Sequence, residues 1–247
     1  MNRHLSLEEE RLARDEFLMQ SFKKLRLPGM AACYREILDS NERMENMDVA
    51  TLLERFVNAE LLRRGDRKTT VMIGQARLWY PSADLSNLKG RNAMLGIQMV
   101  CSLSKCGFID ARAFVIVHGG PKSGTTYLGC AIAVSACRLR YKTRYIRYFD
   151  LLQQLIEAKN KDGLQEVLEY FRNLDCLVVD DWMNISMNHN ELMLIREIMD
   201  YRPRVGGTIL ISHSHPDDWE SLMQTSTSYK VSMVKTLTEG ATVVKLE

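Results

Sequence analysis

Up to about residue 75 the apolar positions recur at helical spacing. Leu12, Phe17, Leu18, Phe22 and Leu25 form one such series, which Pro28-Gly29 interrupts. A second helix is expected over 30–38. A third starts near Asp48, a suitable N-cap, and carries Leu52, Leu53, Phe56, Val57, Leu61 and Leu62 on one broad face. From residue 111 the pattern changes. The runs 113–117, 143–148, 176–179, 208–211 and 242–246 are short and rich in Val, Ile or Leu, as strands buried on both faces of a parallel sheet are. Helical segments fall between and after them at about 126–139, 149–158, 162–172, 189–201 and 216–224. The last has Pro216 at its first position and Asp217-Asp218 in its first turn. Alternating strands and helices predict a three-layer α/β fold with a parallel sheet over 111–247. An all-helical domain (1–75) and a connector with one more helix (76–110) precede it.

Composition changes this picture little. The chain has 247 residues, 46% hydrophobic and 26% charged, which suits an ordinary globular protein. A net charge of +2 neither demands nor excludes nucleic acid. Over residues 1–70, 13 Lys/Arg balance 13 Asp/Glu, so the helical domain reads as a packing or partner-binding module rather than a basic arm. The six cysteines form neither a C-x-x-C pair nor a zinc spacing, so buried reduced thiols in a cytosolic protein are expected. The beginning, MNRHLSLEEERLARDEF, is too charged for a signal peptide, and no apolar run approaches the roughly 18 residues of a membrane span. A cytoplasmic protein with no membrane partner is expected.

The segment HGGPKSGTTYL follows the first expected strand and precedes a helix, which is where a phosphate-binding P-loop stands. Gly119, Gly120 and Gly124, with Pro121, Lys122 and Ser123 between, let backbone N–H groups turn inward around phosphate, helped by the helix N-terminus. Thr126 supplies the hydroxyl that would ligate Mg²⁺. Thr125 occupies the position where the pattern G-x-x-x-x-G-K-[ST] requires lysine. Lys122 is a candidate replacement, although its stem starts at the loop apex; a plain strand-to-helix turn is the alternative.

LDCLVVDDW (174–182) ends an apolar strand in two acids, the metal-handling counterpart of such a loop. Asp180 fits the metal role. Asp181 stands where a glutamate polarises the attacking water, with a side chain one methylene shorter. A solvated turn is the bland alternative. In TILISHSHPDDW (208–219) His213 stands at the polar end of the fourth strand, a position that senses phosphate; with no further ligands nearby, the His213/His215 pair is not read as a metal site. RLRYKTRYIRYF (138–149) carries Arg140, Lys142, Arg144 and Arg147 with no acid and with tyrosines between. Cations beside aromatics hold single-stranded DNA, although the aromatics also suit a core.

In their order these segments resemble the IstB/DnaC-like group of AAA+ proteins, which includes transposition helpers and replicative helicase loaders. FKKLRLPGMAACYREIL (22–38) and VATLLERFVNAELLRRGDRK (49–68) are similar to the family's N-terminal helices. Residues 114–155 and 174–219 are similar to its nucleotide-binding core, and TLTEGATVVKLE (236–247) to its final strand. The resemblance implies ATP and Mg²⁺ as cofactors and DNA as a partner. It also implies a transposase or replicative helicase bound through the helical domain, and a homo- or hetero-oligomer.

Five departures weaken the hydrolytic apparatus. The family's loop lysine falls on Thr125, a loop glycine on Lys122, the catalytic glutamate on Asp181 and the sensor asparagine on His213. The place of its C-terminal arginine reads Lys235-Thr236-Leu237. Each such group typically contributes several kcal/mol to the transition state. The expectation is an assembly factor with weak or lost turnover. The alternatives are an active hydrolase relying on Lys122, or a pseudo-ATPase subunit within a mixed oligomer.

Overall fold

The computed structural model describes residues 6–40, 48–88 and 92–246, the side chains of 92–94 excepted. Its contacts separate two units, 1–70 and 71–247.

The first unit is helical: α1 (Leu7–Lys24), α2 (Pro28–Asp39) and the start of α3 (Val49–Ala76), which continues into the second unit. A reciprocal Ser6/Glu9 capping box opens α1. Pro28 at the first position of α2 fixes its start. The next residue abuts α3 so closely that a Cβ on Gly29 would lie 2.5 Å from the Ala59 carbonyl oxygen. Phe22, Tyr34 and Phe56 form a ring trio with centroids 6.1 Å apart. The helical period read from the sequence holds, but its apolar face is largely uncovered. Leu12, Phe17 and Leu25, and Leu53, Val57, Leu61 and Leu62, are exposed.

The second unit begins with two helices and a 3-10 turn where one helix was expected: Leu85–Asn87, then α4 (Asn92–Ser104, bent at Gly96 with φ 68°) and α5 (Gly107–Asp110). The alternating part follows as β1 (Phe114–Gly119), α6 (Thr125–Arg138), β2 (Thr143–Arg147), α7 (Tyr148–Asn160), α8 (Leu164–Arg172) and β3 (Cys176–Asp180). Then come β4 (Met187–Asn188), α9 (His189–Met199), β5 (Gly207–Ser212), α10 (Trp219–Leu222), β6 (Met223–Gln224), α11 (Thr227–Thr238) and β7 (Thr242–Leu246). The main sheet has the order β2-β3-β5-β1-β7, and all its pairings are parallel. The expected helix over 216–224 shrinks to a 3-10 turn at Pro216–Asp218 and the four residues of α10. β6 then pairs with β4, and α11 was not anticipated.

Alternate strand residues enter opposite cores. Val115, Val117, Tyr145 and Val178 pack with α6, while Ile116, Ile146, Leu177 and Val179 pack with α7, α8 and α9. Arg202 is wholly buried. Its guanidinium donates to the Arg172 carbonyl at 3.0 Å and to the Leu174 and Gly207 carbonyls, tying the turn before β3 to the start of β5. Five of the six cysteines are buried and none forms a disulfide; burial pushes the Cys130 thiol up to about 11 and Cys106 up to about 12. No helix among the described residues is long and apolar enough to cross a membrane.

Candidate nucleotide site

β1 ends at Gly119, and the chain turns through 120–124 into α6. Gly119 must lack a side chain, since a Cβ there would sit 2.4 Å from the Leu246 carbonyl oxygen of the neighbouring β7. Gly124 caps α6 with left-handed backbone at φ 92° and no side-chain cap, so the first-turn N–H groups face the loop. Gly120, Pro121 and Lys122 are exposed; Ser123 and Thr125 are buried. Lys122 adopts φ 66°, a backbone region that favours glycine. Where the family has a glycine, this chain holds lysine in the glycine conformation, a strain of roughly 1–2 kcal/mol.

Asp180, at the end of β3, is hydrogen-bonded to the Thr126 hydroxyl, to Tyr145 Oη at 2.7 Å and to its neighbour's N–H at 2.8 Å. Burial raises its pKa, and these three donors only partly offset that. A loop hydroxyl and a strand-end carboxylate in contact form the hard-oxygen pair that suits Mg²⁺. These residues fit the metal.

The fit ends at the next residue. Asp181 has left-handed backbone (φ 56°), and its carboxylate is engaged twice, by Arg147 Nε at 2.9 Å and by Asn184 Nδ2 at 2.9 Å. His213 closes the other side. Its Nδ1 donates to the Gly119 carbonyl at 3.3 Å, and its Nε2 lies 3.9 Å from Asp181 Oδ1. Gly119 through Thr126, Asp180, Asp181 and His213 are thus brought to one end of the sheet. The place of the family's C-terminal arginine falls on α11, where Lys235 is exposed. Sequence reading missed Tyr145 and Asn184, whose roles come from the register of β2 on β3 and from the tight turn after Asp181.

The basic run does not form one surface. Arg147 is drawn to Asp181 at the nucleotide end of β2, Arg140 lies in the turn before the strand (φ 75°), and Lys142 and Arg144 face a cavity at its start. This corrects the grouping of the four as one DNA-facing set. The cause is strand alternation together with the attraction of Asp181 for Arg147.

Residues 20–247 match the model of the family described as IstB-like ATP binding protein. A protein described as an ATP-binding protein of insertion sequence IS1162, from Pseudomonas fluorescens, is 29% identical over 198 residues, covering 78% of this chain and 84% of that one. Among solved structures, the DnaC helicase loader is similar with a TM-score of 0.56 at 17% identity, covering 68% of this chain and 98% of that one. The replication initiator DnaA bound to AMPPCP and single-stranded DNA is similar with a TM-score of 0.54 at 20% identity, covering 68% of this chain and half (50%) of that one. At these identities the structural likenesses speak for the P-loop AAA+ fold.

Proposed function

Because the chain belongs to the family of IstB-like ATP-binding proteins, we propose that it is an assembly factor in DNA transposition or replication, one that retains a nucleotide scaffold while its ATP turnover is weak or lost. The insertion-sequence relative and the fold shared with a helicase loader support the process assigned. The observation that carries the reading is the divided state of the site. Thr126 and Asp180 keep their contact, while Thr125 sits buried in the lysine position and Asp181 is tied to Arg147 and Asn184.

In this reading the N–H groups of 120–126 bind the ATP phosphates, and Thr126 and Asp180 hold Mg²⁺, which supplies charge neutralisation between the phosphates. No cation from the first helical turn reaches the β- and γ-phosphates. Asp181 accepts two hydrogen bonds already, so it is poorly placed to take a proton from water. His213, anchored on Gly119, stands where the lytic water would be oriented. Bound nucleotide then acts as a structural ligand that holds the loop. The exposed apolar residues of α1 and α3 suit docking of a transposase or helicase. The cations at the start of β2 suit DNA, and oligomerisation in the cytoplasm follows the same reading.

A titration of the full chain with ATP, with and without Mg²⁺, followed by a turnover assay on the same sample tests it. Mg²⁺-assisted binding without appreciable turnover is expected. Absence of any ATP effect, together with absence of DNA binding, would overturn it.

A further inference from the structure

At the edge of the sheet the second unit holds a cavity of about 650 Å³ beside Thr143, the first residue of β2. The nucleotide loop follows the last residue of parallel β1, so cavity and loop lie at opposite ends of the sheet.

Three cations converge on this cavity, Arg77, Lys142 and Arg144, and none of the residues lining it is a carboxylate. Arg77 follows α3 directly, where left-handed backbone (φ 52°) ends the helix. Lys142 and Arg144 are alternate residues, so both can reach the same side. Lys142 Nζ lies 5.7 Å over the Tyr170 ring. Arg144 Nε is buried with no hydrogen-bond partner among the described residues. None of the ion pairs among the described residues involves Arg77, Lys142 or Arg144. Burial holds the Arg144 guanidinium below its ordinary pKa; Tyr170 opposes that and the Arg77 charge adds to it.

A half-buried guanidinium with an unsatisfied N–H beside a second arginine is costly unless an anion enters. An oxyanion with several oxygens satisfies planar Arg donors and the ammonium together. The charge of that anion is limited from behind, because the Asp175 carboxylate accepts from the Lys142 backbone N–H at 2.6 Å. A dianionic free phosphate would sit near that carboxylate, whereas a monoanionic phosphodiester is repelled less.

We propose that Arg77, Lys142 and Arg144 form a pocket for a backbone phosphate of DNA, remote from the nucleotide site. This rests on the reading that the chain binds DNA and adds where the strand is held. Arg77 is the member that the basic run in the sequence does not contain.

The test measures binding of a fluorescent oligo(dT) to the full chain between 50 and 300 mM salt, for the wild type and Arg77→Gln/Arg144→Gln. Lys159→Gln/Lys161→Gln, on the exposed end of α7 and beyond, removes the same charge elsewhere. The pocket variant is expected to bind roughly ten- to thirtyfold more weakly near 0.1 M salt, with the log–log salt slope flattened by about 1.4 for two lost contacts. The charge-matched variant should keep the wild-type slope. If Arg144→Gln does not fold, Arg77→Gln alone should flatten the slope by about 0.7. Wild-type binding with an unchanged slope in the pocket variants overturns the pocket and leaves DNA binding standing. If the wild type binds no DNA, the underlying reading falls and the phosphodiester falls with it. Inorganic phosphate that still raises the melting temperature of the wild type, but not of the pocket variant, would then assign the site to free phosphate.

Discussion

Arg147 Nε donates to Asp181 Oδ2 at 2.9 Å, from the end of one strand to the turn after its neighbour. Both side chains are partly exposed, at 49% and 31%, so the pair adds less than about 1 kcal/mol to stability. Its consequence is one of position. Arg147 is committed to the nucleotide end of the sheet and Asp181 is held away from an attacking water. Arg147→Ala is therefore expected to shift the unfolding free energy by less than about 1 kcal/mol and to leave the salt slope of DNA binding in place. A slope flattened by about 0.7 in that variant would return Arg147 to the DNA path.

The helical unit depends on Glu60, which is buried against the N-terminus of α2 and accepts from Gly29 N at 2.7 Å, Met30 N at 3.3 Å and Arg64 Nε at 2.8 Å. Burial pushes its carboxyl up, but these donors outweigh burial and hold the pKa below its ordinary 4.5. A depressed folded-state pKa adds stability that is present above about pH 4.5 and lost as pH falls through the folded value. Glu60→Gln should cost about 1–3 kcal/mol at pH 7, read by denaturant unfolding, and the difference from wild type should shrink below pH 4.5. A difference constant from pH 7 to 3 would contradict this role. The same packing explains the Leu-Pro-Gly-Met segment, since proline starts the helix and only glycine lets it approach α3.

The core was the most legible part of the chain. The five main strands have a strong apolar signal because both faces are buried, and the structure places all five within two residues of their expected bounds. The helix α11 was not visible, because its start, Thr-Ser-Tyr-Lys, carries no apolar period and only Met233 and Leu237 are buried. The exposed faces of α1 and α3 carry the same periodicity as a covered face, so spacing alone could not separate them. At the site, the loop and the strand-end acids are local in sequence and were readable. The partners of those acids, Tyr145 and Asn184 among them, depend on strand register and on left-handed turns at Asp181 and Met183, which no local pattern encodes.

Thr125 is the substitution on which the nucleotide chemistry turns. It is buried at the first position of α6, so a lysine there would start from the helical turn that faces the loop interior. Thr125→Lys is expected to tighten ATP·Mg²⁺ binding about ten- to hundredfold, the contribution of a charged hydrogen bond to phosphate, measured by calorimetric titration. Thr125→Ala should change affinity by less than about threefold. A folded Thr125→Lys protein with unaltered affinity would mean that the loop does not cradle the phosphates.

The central claim, a retained scaffold with turnover abandoned, is tested most directly by single-turnover hydrolysis of radiolabelled ATP by the full chain, with Mg²⁺ and saturating single-stranded DNA. Several groups are altered together, and the loss of one such group alone costs about 100- to 1,000-fold. The rate constant is therefore expected at or below about 0.01 s⁻¹, against roughly 1 s⁻¹ or more for ordinary enzymes. A rate near 1 s⁻¹ that Lys122→Ala abolishes and Thr125→Ala spares would contradict the claim and make Lys122 the working cation of an active ATPase.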